Sequence, residues 1–232
     1  KKYNLIVSNF PRNIFFHDKS YQNIGYVTSE EKKIIKKINF FRGKKIGYFP
    51  TWRKNSQDLF LDINDYSKLK NLNSLLKKNK SVMITKHHSN HFKEDLLSDS
   101  KQEKLINNAL KKLSNFINLS YDVDLNTIMC HCDLLISDYS GAVVDYLISE
   151  RPIILYTPDI EKFKKDPGLF FNYSKFNFCH KTSKYEVLIK YIRQYFLDEK
   201  KFIKKYLQKR KEMKKIFFEK NSYFDEIFRH IK

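Results

Sequence analysis

Ser140 and Gly141, preceded by Asp138 and followed about a turn later by Asp145, form the residue group in this chain best suited to holding an anion. They stand in the run Asp133-Leu-Leu-Ile-Ser-Asp138-Tyr139-Ser140-Gly141-Ala-Val-Val-Asp145-Tyr146, which leads into Arg151-Pro152-Ile-Ile-Leu-Tyr-Thr-Pro-Asp159. The apolar stretch Leu134 to Ile136 is short enough for a buried parallel strand, while Ala142, Val143, Tyr146 and Leu147 recur with helical spacing. The run therefore reads as strand, tight turn, helix and second strand, with Ser140 and Gly141 at the helix mouth. Unpaired backbone N–H groups and the positive end of the helix dipole face outward there, and a residue without a Cβ lets an anion approach closely. Asp145 is placed to reach a ribose hydroxyl. Taken alone, the same residues also describe an ordinary serine N-cap with a surface aspartate.

These residues need a frame, and the chain supplies one as a repeated alternation of short apolar strands with helical segments. Strands are expected at Ile46–Phe49, Val82–Thr85, Phe116–Leu119, Leu134–Ser137 and Ile153–Tyr156. Helices are expected around Tyr66–Lys78, Lys104–Leu113, Leu125–Cys132, Ala142–Ser149 and Tyr185–Phe196. The alternation predicts an α/β fold, a parallel sheet covered by helices on both faces, in which ligands collect outside the carboxyl ends of the strands. Each expected strand end carries polar groups: Pro50-Thr51-Trp52-Arg53, Lys86-His87-His88, Asp122 with Asp124, Asp138 to Gly141, and Asp159. Arg53 and Lys86 can balance a diphosphate, and a histidine beside them can donate or accept a proton near neutral pH. Adjacent side chains at a strand end point to opposite faces, so His87 and His88 do not both face one cleft.

The formal net charge is +19. Lysine enrichment over the whole surface accounts for part of it, and attraction to anionic lipid, nucleic acid or a polyanionic substrate is the functional reading. No nucleic-acid fold signature accompanies the charge, so a membrane surface or a polyanion is the expected partner rather than nucleic acid. No segment has the apolar length of a membrane span and the N-terminus lacks a signal-peptide pattern, which leads to an expectation of a cytoplasmic chain, free or peripherally attached. Cys130, Cys132 and Cys179 are odd in number and lack paired metal-ligand spacing. Cys130-His131-Cys132 reads as packing, because a tetrahedral site needs a fourth ligand and usually wider spacing. The stretch from Phe196 to Lys220 mixes Lys and Arg with apolar residues at helix-like intervals and reads as one or two amphipathic helices whose apolar face packs on a domain. A charged, helix-like run covers Ser29 to Lys37. The segment before Lys44 holds no complete sheet domain.

In this order, the motifs resemble those of the CDP-glycerol glycerophosphotransferases, enzymes that polymerise teichoic acids and related phosphate-linked capsule chains. The family pattern runs Gly-x-Pro-Arg-Asn-Asp, Tyr-Ala-Pro-Thr-Phe-Arg, Lys-x-His-Pro, Asp-x-Leu-Ile-Thr-Asp-Tyr-Ser-Ser-x-x-x-Asp-Tyr and Arg-Pro-Ile-x-Phe-Tyr-x-x-Asp. Here the counterparts are Asn9 to Ile14, Tyr48 to Arg53, Lys86 to Ser89, Asp133 to Tyr146 and Arg151 to Asp159, and Pro167 to Tyr173 looks like the family's Gly-Phe-Tyr-Phe-Asp stretch. The resemblance covers nearly the whole chain. It implies the C-terminal half of a GT-B-type glycosyltransferase fold of two facing Rossmann-like domains, with Ser140 and Gly141 on the diphosphate, Asp145 on the ribose, and Thr51 and Arg53 lining the same cleft. Asp138 belongs to the same donor-binding set, and the resemblance implies a division into residues 1–43 as the tail of the first, acceptor-side domain and connector, 44–197 as the Rossmann-like nucleotide-donor domain, and 198–232 as basic amphipathic helices packing back on the domains. The functional histidine implied is His88 in the Lys-x-His pattern with Lys86, or His87 in an alignment without the lysine.

The implied reaction is transfer of glycerol phosphate, or a related polyol phosphate, from a CDP-activated donor to a hydroxyl of a polyanionic surface polymer, with release of CMP. Neutralisation of the leaving nucleotide by Arg, Lys, His and a helix dipole suits phosphoryl transfer, which depends on positioning and charge stabilisation. Metal-independent chemistry without a cofactor is expected, although Asp138 and Asp145 are of a type to ligate Mg²⁺. The implied location is the inner face of the cell membrane, held peripherally. Three departures stand out: the family's Trp-His-Gly motif has no counterpart, so the chain reads as truncated; Asn9 and Ile14 replace Gly and Asp; and Gly141 replaces the second Ser. A nucleotide-sugar glycosyltransferase of the same fold and a noncatalytic polyanion-binding module are the competing readings.

Overall fold

Six short strands make one parallel sheet: Lys45–Tyr48 (β1), Val82–Lys86 (β2), Phe116–Leu119 (β3), Leu134–Ser137 (β4), Ile153–Tyr156 (β5) and His180–Thr182 (β6). Their spatial order is β3-β2-β1-β4-β5-β6. The computed structural model describes residues 14–17, 27–51, 66–86, 108–120, 122–165 and 176–218, with positions 168 and 173. The helices are Ile14–His17 (α1), Ser29–Phe40 (α2), Tyr66–Lys78 (α3), residues 108–111 (α4), Leu125–Met129 (α5), Ala142–Tyr146 (α6), Ile160–Lys165 (α7), Tyr185–Leu197 (α8) and Glu199–Phe217 (α9).

Strand side chains alternate between two cores, because successive residues of a strand point to opposite faces. Val82, Ile84, Leu135, Ile153 and Leu155 join Ile38 of α2, Ile128 of α5 and Tyr146 of α6 on one side. Met83, Leu134, Ile136 and Ile154 join Leu72 of α3 and Leu188 of α8 on the other. Both faces are therefore covered, as the continuous apolar strands require. Gly47 of β1 has no room for a side chain: a Cβ there would lie 2.5 Å from the Phe49 ring and 3.0 Å from Cys132 Sγ.

The five expected strands form within a residue of their sequence limits, and α3 occupies its expected span. Two helices are shorter than expected. The segment after Leu125 leaves the α-helix at Met129, where His131 N and Cys132 N donate to carbonyls only three residues back. The segment after Ala142 tightens into a 3₁₀ turn at Leu147–Ser149 and stops at Glu150, whose φ of 57° is left-handed. Of the helix expected over Lys104–Leu113, the described part is 108–111. β6 is a strand that hydrophobic patterning did not single out, since His-Lys-Thr is not an apolar run.

Polar anchors set the flanking helices. Thr28 and Glu31 form a reciprocal cap at the start of α2: Glu31 N donates to Thr28 Oγ1 (3.1 Å) and Thr28 N to Glu31 Oε2 (2.8 Å). The buried Glu31 carboxylate also accepts from Asp124 N (2.7 Å), so the cap that starts α2 docks it against α5. At the chain's other end, α9 crosses the amino-terminal edge of the sheet. Lys44, just before β1, pairs with Glu199 at 2.6 Å, and Tyr195 OH reaches the Asp133 carbonyl just before β4. Arg210, 1% exposed, donates from Nε to the Glu150 carbonyl (2.9 Å) and from Nη2 to the Ile203 carbonyl (2.7 Å). Lys214 holds the Glu150 carboxylate at 2.9 Å.

His180, at the start of β6, is 4% exposed and lies flat on Phe202 of α9, ring centroids 4.1 Å apart and 13° from parallel. Burial, reinforced by the Lys205 and Arg210 cations, lowers its pKa from 6.5 to about 4. The unfolded chain thus takes up a proton as pH falls through 6.5 while the native state does not, and stability is lost between pH 6.5 and about 4. Urea unfolding at pH 7 and pH 4.5 should show a loss on the order of 2 kcal/mol from this group. His180→Phe should remove that share of the pH dependence while keeping the stacked contact.

Candidate functional site at the carboxyl edge of the sheet

The order of the sheet reverses between β1 and β4, so the crossovers leave these two neighbouring strands in opposite directions and open a crevice beyond their carboxyl ends. Thr51 follows β1 and Asp138 follows β4. The Asp138 carboxylate, 2% exposed, accepts from Thr51 N at 2.9 Å and 3.1 Å, from Thr51 Oγ1 at 2.6 Å and from Ser140 N at 3.2 Å. Below this tie, Ser137 Oγ donates to the Phe49 carbonyl (2.5 Å) and Phe49 N to the Ile136 carbonyl (3.1 Å), extending the β1–β4 pairing past the last strand residues. Asp138 thus shapes the turn and joins it to the neighbouring loop.

The turn presents Ser140 and Gly141. Ser140 Oγ accepts from Ala142 N at 3.2 Å, and its carbonyl accepts from Val143 N at 3.0 Å, so Ser140 opens α6. Gly141 is exposed with φ −56° and ψ −23°, and a Cβ built on it meets nothing within 4 Å. Glycine is not demanded there by backbone strain or crowding; the space above it is open. Asp145, in the first turn of α6, is 5% exposed, which replaces the surface aspartate of the plainer sequence reading with a buried carboxyl group.

An aromatic wall flanks the turn. Tyr139 stacks on Phe163 of α7 at 4.1 Å and 22°, and its hydroxyl lies 3.4 Å from Asp159 Oδ1. Tyr173 meets Tyr139 edge-on at 5.9 Å and shares a hydrogen bond with Thr157 (3.0 Å), while Lys181 Nζ lies 5.1 Å from the Tyr173 ring. Sequence reasoning did not place Thr157, Phe163 or Lys181 here. Asp159 stood as the polar group after the fifth expected strand and Tyr173 only as a member of a longer motif, and the motif from Pro167 to Tyr173 is the signal that leads to this wall.

Lys86 lies elsewhere. It ends β2, on the far side of β1 from β4, and its ammonium donates to the Val123 carbonyl in the loop leading to α5. Burial lowers its pKa, opposed by the carboxylates of Asp124, Asp122 and Glu31. In this geometry Lys86 ties the β2 end to the β3–α5 loop. Arg53, His87 and His88 lie outside the described residues. Cys130 and Cys132 are buried, with their Sγ atoms on the carbonyls of Thr127 and Ile128, and burial pushes the Cys132 thiol well up. Among the described residues no three His, Cys, Asp or Glu side chains are grouped to hold a metal ion.

The tie at Asp138 has a measurable weight. Hydrogen bonds to a charged acceptor each contribute about 1.5–3 kcal/mol, and their loss strands donors. Asp138→Ala should lower the unfolding free energy by about 3 kcal/mol in urea titrations, and Thr51→Val, which keeps the backbone N–H bond, by about 1 kcal/mol.

Among proteins of known kind, a teichoic acid poly(glycerol phosphate) polymerase of Bacillus spizizenii is 30% identical over 185 residues, 75% of this chain and 40% of its own length. A structure of a variant of the wall teichoic acid polymerase TagF superposes with a TM-score of 0.65 at 22% identity, covering 97% of this chain and 50% of that one. The Anabaena protein Alr3699/HepE, solved with UDP and glucose, superposes at a TM-score of 0.52 and 13% identity over 92% of this chain and 51% of that one. These likenesses establish an α/β Rossmann-like fold of the kind built into GT-B glycosyltransferases, and the chain spans about half or less of the length of each of these proteins. The family model for CDP-glycerol:poly(glycerophosphate) glycerophosphotransferase matches residues 1–222, and the chain belongs to that family.

Proposed function

We propose that this chain supplies the donor-binding half of a transferase that moves glycerol phosphate, or a closely related polyol phosphate, from a CDP-activated alcohol to the hydroxyl end of a teichoic-acid-like polymer. The observation that carries this reading is the tethered turn at the switch point: Asp138 holds Thr51 and Ser140 together while the space over Gly141 stays open. An anionic ligand fits that place, because a diphosphate over Gly141 would approach backbone without displacing any side chain. Ser140, Gly141 and Thr51 contact the diphosphate, Asp145 meets the ribose, and Asp138 positions the turn. Residues 44–197 act as the donor domain, 1–43 as connector from the acceptor side, and 198–232 as the closing helical segment.

In the reaction, the acceptor hydroxyl oxygen attacks the β-phosphorus in line with the bridging oxygen. The bond from that phosphorus to the bridging oxygen breaks, and CMP leaves with the electron pair. Arg53 and the helix mouth screen the charge that develops on the leaving group. His88, or His87 beside it, protonates or screens the leaving phosphate, and Lys86 anchors the strand end that leads into both. The proton of the attacking hydroxyl passes to a base on the acceptor side. The polymer acceptor is polyanionic and grows at the inner face of the membrane, where a chain of net charge +19 is attracted peripherally.

Gly141→Val tests this directly. Its Cβ meets nothing within 4 Å, so the melting temperature should hold while the ligand's place is filled. Calorimetric titration with CDP-glycerol, CDP-ribitol, UDP-glucose and CMP should show cytidine-selective binding that weakens at least tenfold in this variant, about 1.4 kcal/mol or more. Preference for UDP-glucose would shift the reading to a sugar transferase, and indifference to all four nucleotides would overturn the donor site.

A further inference from the structure

The edge of the sheet opposite the crevice has its own chemistry. Three large apolar side chains among the described residues are strongly exposed: Phe40 at 84%, Leu197 at 85% and Ile216 at 72%. Each lies at the end of a helix, and the contacts place these ends on the amino-terminal edge. Phe40 ends α2, four residues before Lys44, and Leu197 ends α8, two residues before Glu199; Lys44 and Glu199 form the 2.6 Å ion pair at the start of β1. Ile216 lies two residues beyond Lys214, which pairs with Glu150 just before β5.

Between these apolar points runs α9. Phe202, Arg210 and the half-buried Ile203, Tyr206, Met213 and Phe217 share one side of the helix. The other side is lysine-lined, with Lys200, Lys201, Lys204, Lys205, Lys211 and Lys215 exposed and Glu212 the one exposed carboxylate of the helix. At 100° per residue Ile216 falls on this lysine face. Exposed Arg42, Lys77, Lys78 and Lys80 continue the positive surface beside β1 and β2, where Gly43 N bonds to the Lys80 carbonyl. A helix of 19 residues is roughly 28 Å long, so apolar points at its two ends cannot belong to one small-molecule pocket.

We infer that the amino-terminal edge of the sheet, from Phe40 and Leu197 along the lysine face of α9 to Ile216, docks on an anionic lipid surface. The inference rests on the peripheral location proposed above and specifies the face that makes it. Lysines attract acidic headgroups, while isolated exposed Phe, Leu and Ile side chains enter the headgroup and acyl boundary. A soluble phosphodiester polymer matches the lysines but gives no role to three exposed apolar side chains. Docking by this edge turns the opposite, carboxyl edge and its crevice away from the bilayer.

The test is co-sedimentation of the whole chain with phosphatidylcholine vesicles containing or lacking phosphatidylglycerol. Wild type should partition only to the anionic vesicles, with affinity that falls as salt rises. Lys200→Gln/Lys204→Gln/Lys211→Gln/Lys215→Gln should lower the partition on the order of a hundredfold. Phe40→Ser/Leu197→Ser/Ile216→Ser should lower it about tenfold or more with little change in salt dependence. Both variants should melt like wild type and keep nucleotide binding, as neither touches the crevice. Binding of wild type with both variants unaffected would overturn this face and leave peripheral attachment standing. Failure of wild type to bind anionic vesicles would overturn both, as would binding confined to soluble poly(glycerol phosphate).

Discussion

Because β1 and β4 send their crossovers in opposite directions, the backbone ladder does not hold together the loops that follow them; a side chain has to. Asp138 does this with one buried carboxylate that accepts from Thr51 N, Thr51 Oγ1 and Ser140 N. A charge buried to this degree is tolerated only when its oxygens are hydrogen-bonded, and the donors here come from both sides of the crevice. The shape of the turn at Ser140 and Gly141 and the placement of Thr51 therefore rest on one residue whose contribution is positional. Its neighbour Gly141 has the opposite character: it contributes open space and backbone.

A second set of buried polar groups fixes the helices around that centre. Glu31 caps α2 and at the same time accepts from Asp124 N and Thr127 Oγ1, so a helix before the sheet is docked to one within it. Arg210 spends its guanidinium on the carbonyls of Glu150 and Ile203, holding α9 to the turn that precedes β5. Arg151 does the same beneath the sheet, donating to the carbonyls of Cys130 and Cys132. Apart from the Ile203 carbonyl, which lies within α9, the backbone atoms satisfied in this way stand where a helix starts or ends, positions at which apolar packing alone leaves orphaned carbonyls and N–H groups.

The outcome is a sheet with two unlike edges. The carboxyl edge gathers Thr51, Asp138, Ser140 and the aromatic wall of Tyr139, Phe163 and Tyr173. The amino-terminal edge is closed by α9 and faces outward with lysines and exposed apolar side chains. A parallel sheet allows this division because all strand ends of one kind lie together, so the two edges can differ in character without sharing a surface.

Much of the architecture was legible in the residues themselves. Apolar runs such as Leu134–Ser137 and Ile153–Tyr156 are long enough for one strand and too short for a helix, and the spacing of Leu69, Leu72 and Leu76 permits only one face of a helix to be buried. The motif from Asp133 to Tyr146 likewise determined a strand, a turn and a helix start, because each depends on neighbours in sequence. The order of the strands, the tie from Asp138 to Thr51 across 87 positions and the departure of Lys86 toward Val123 were decided by tertiary structure. So was β6, a His-Lys-Thr strand that exists because β5 offers an open edge and Phe202 covers His180. Local patterning registers which face of an element is apolar; it carries no information about which distant backbone group a buried carboxylate or ammonium will meet.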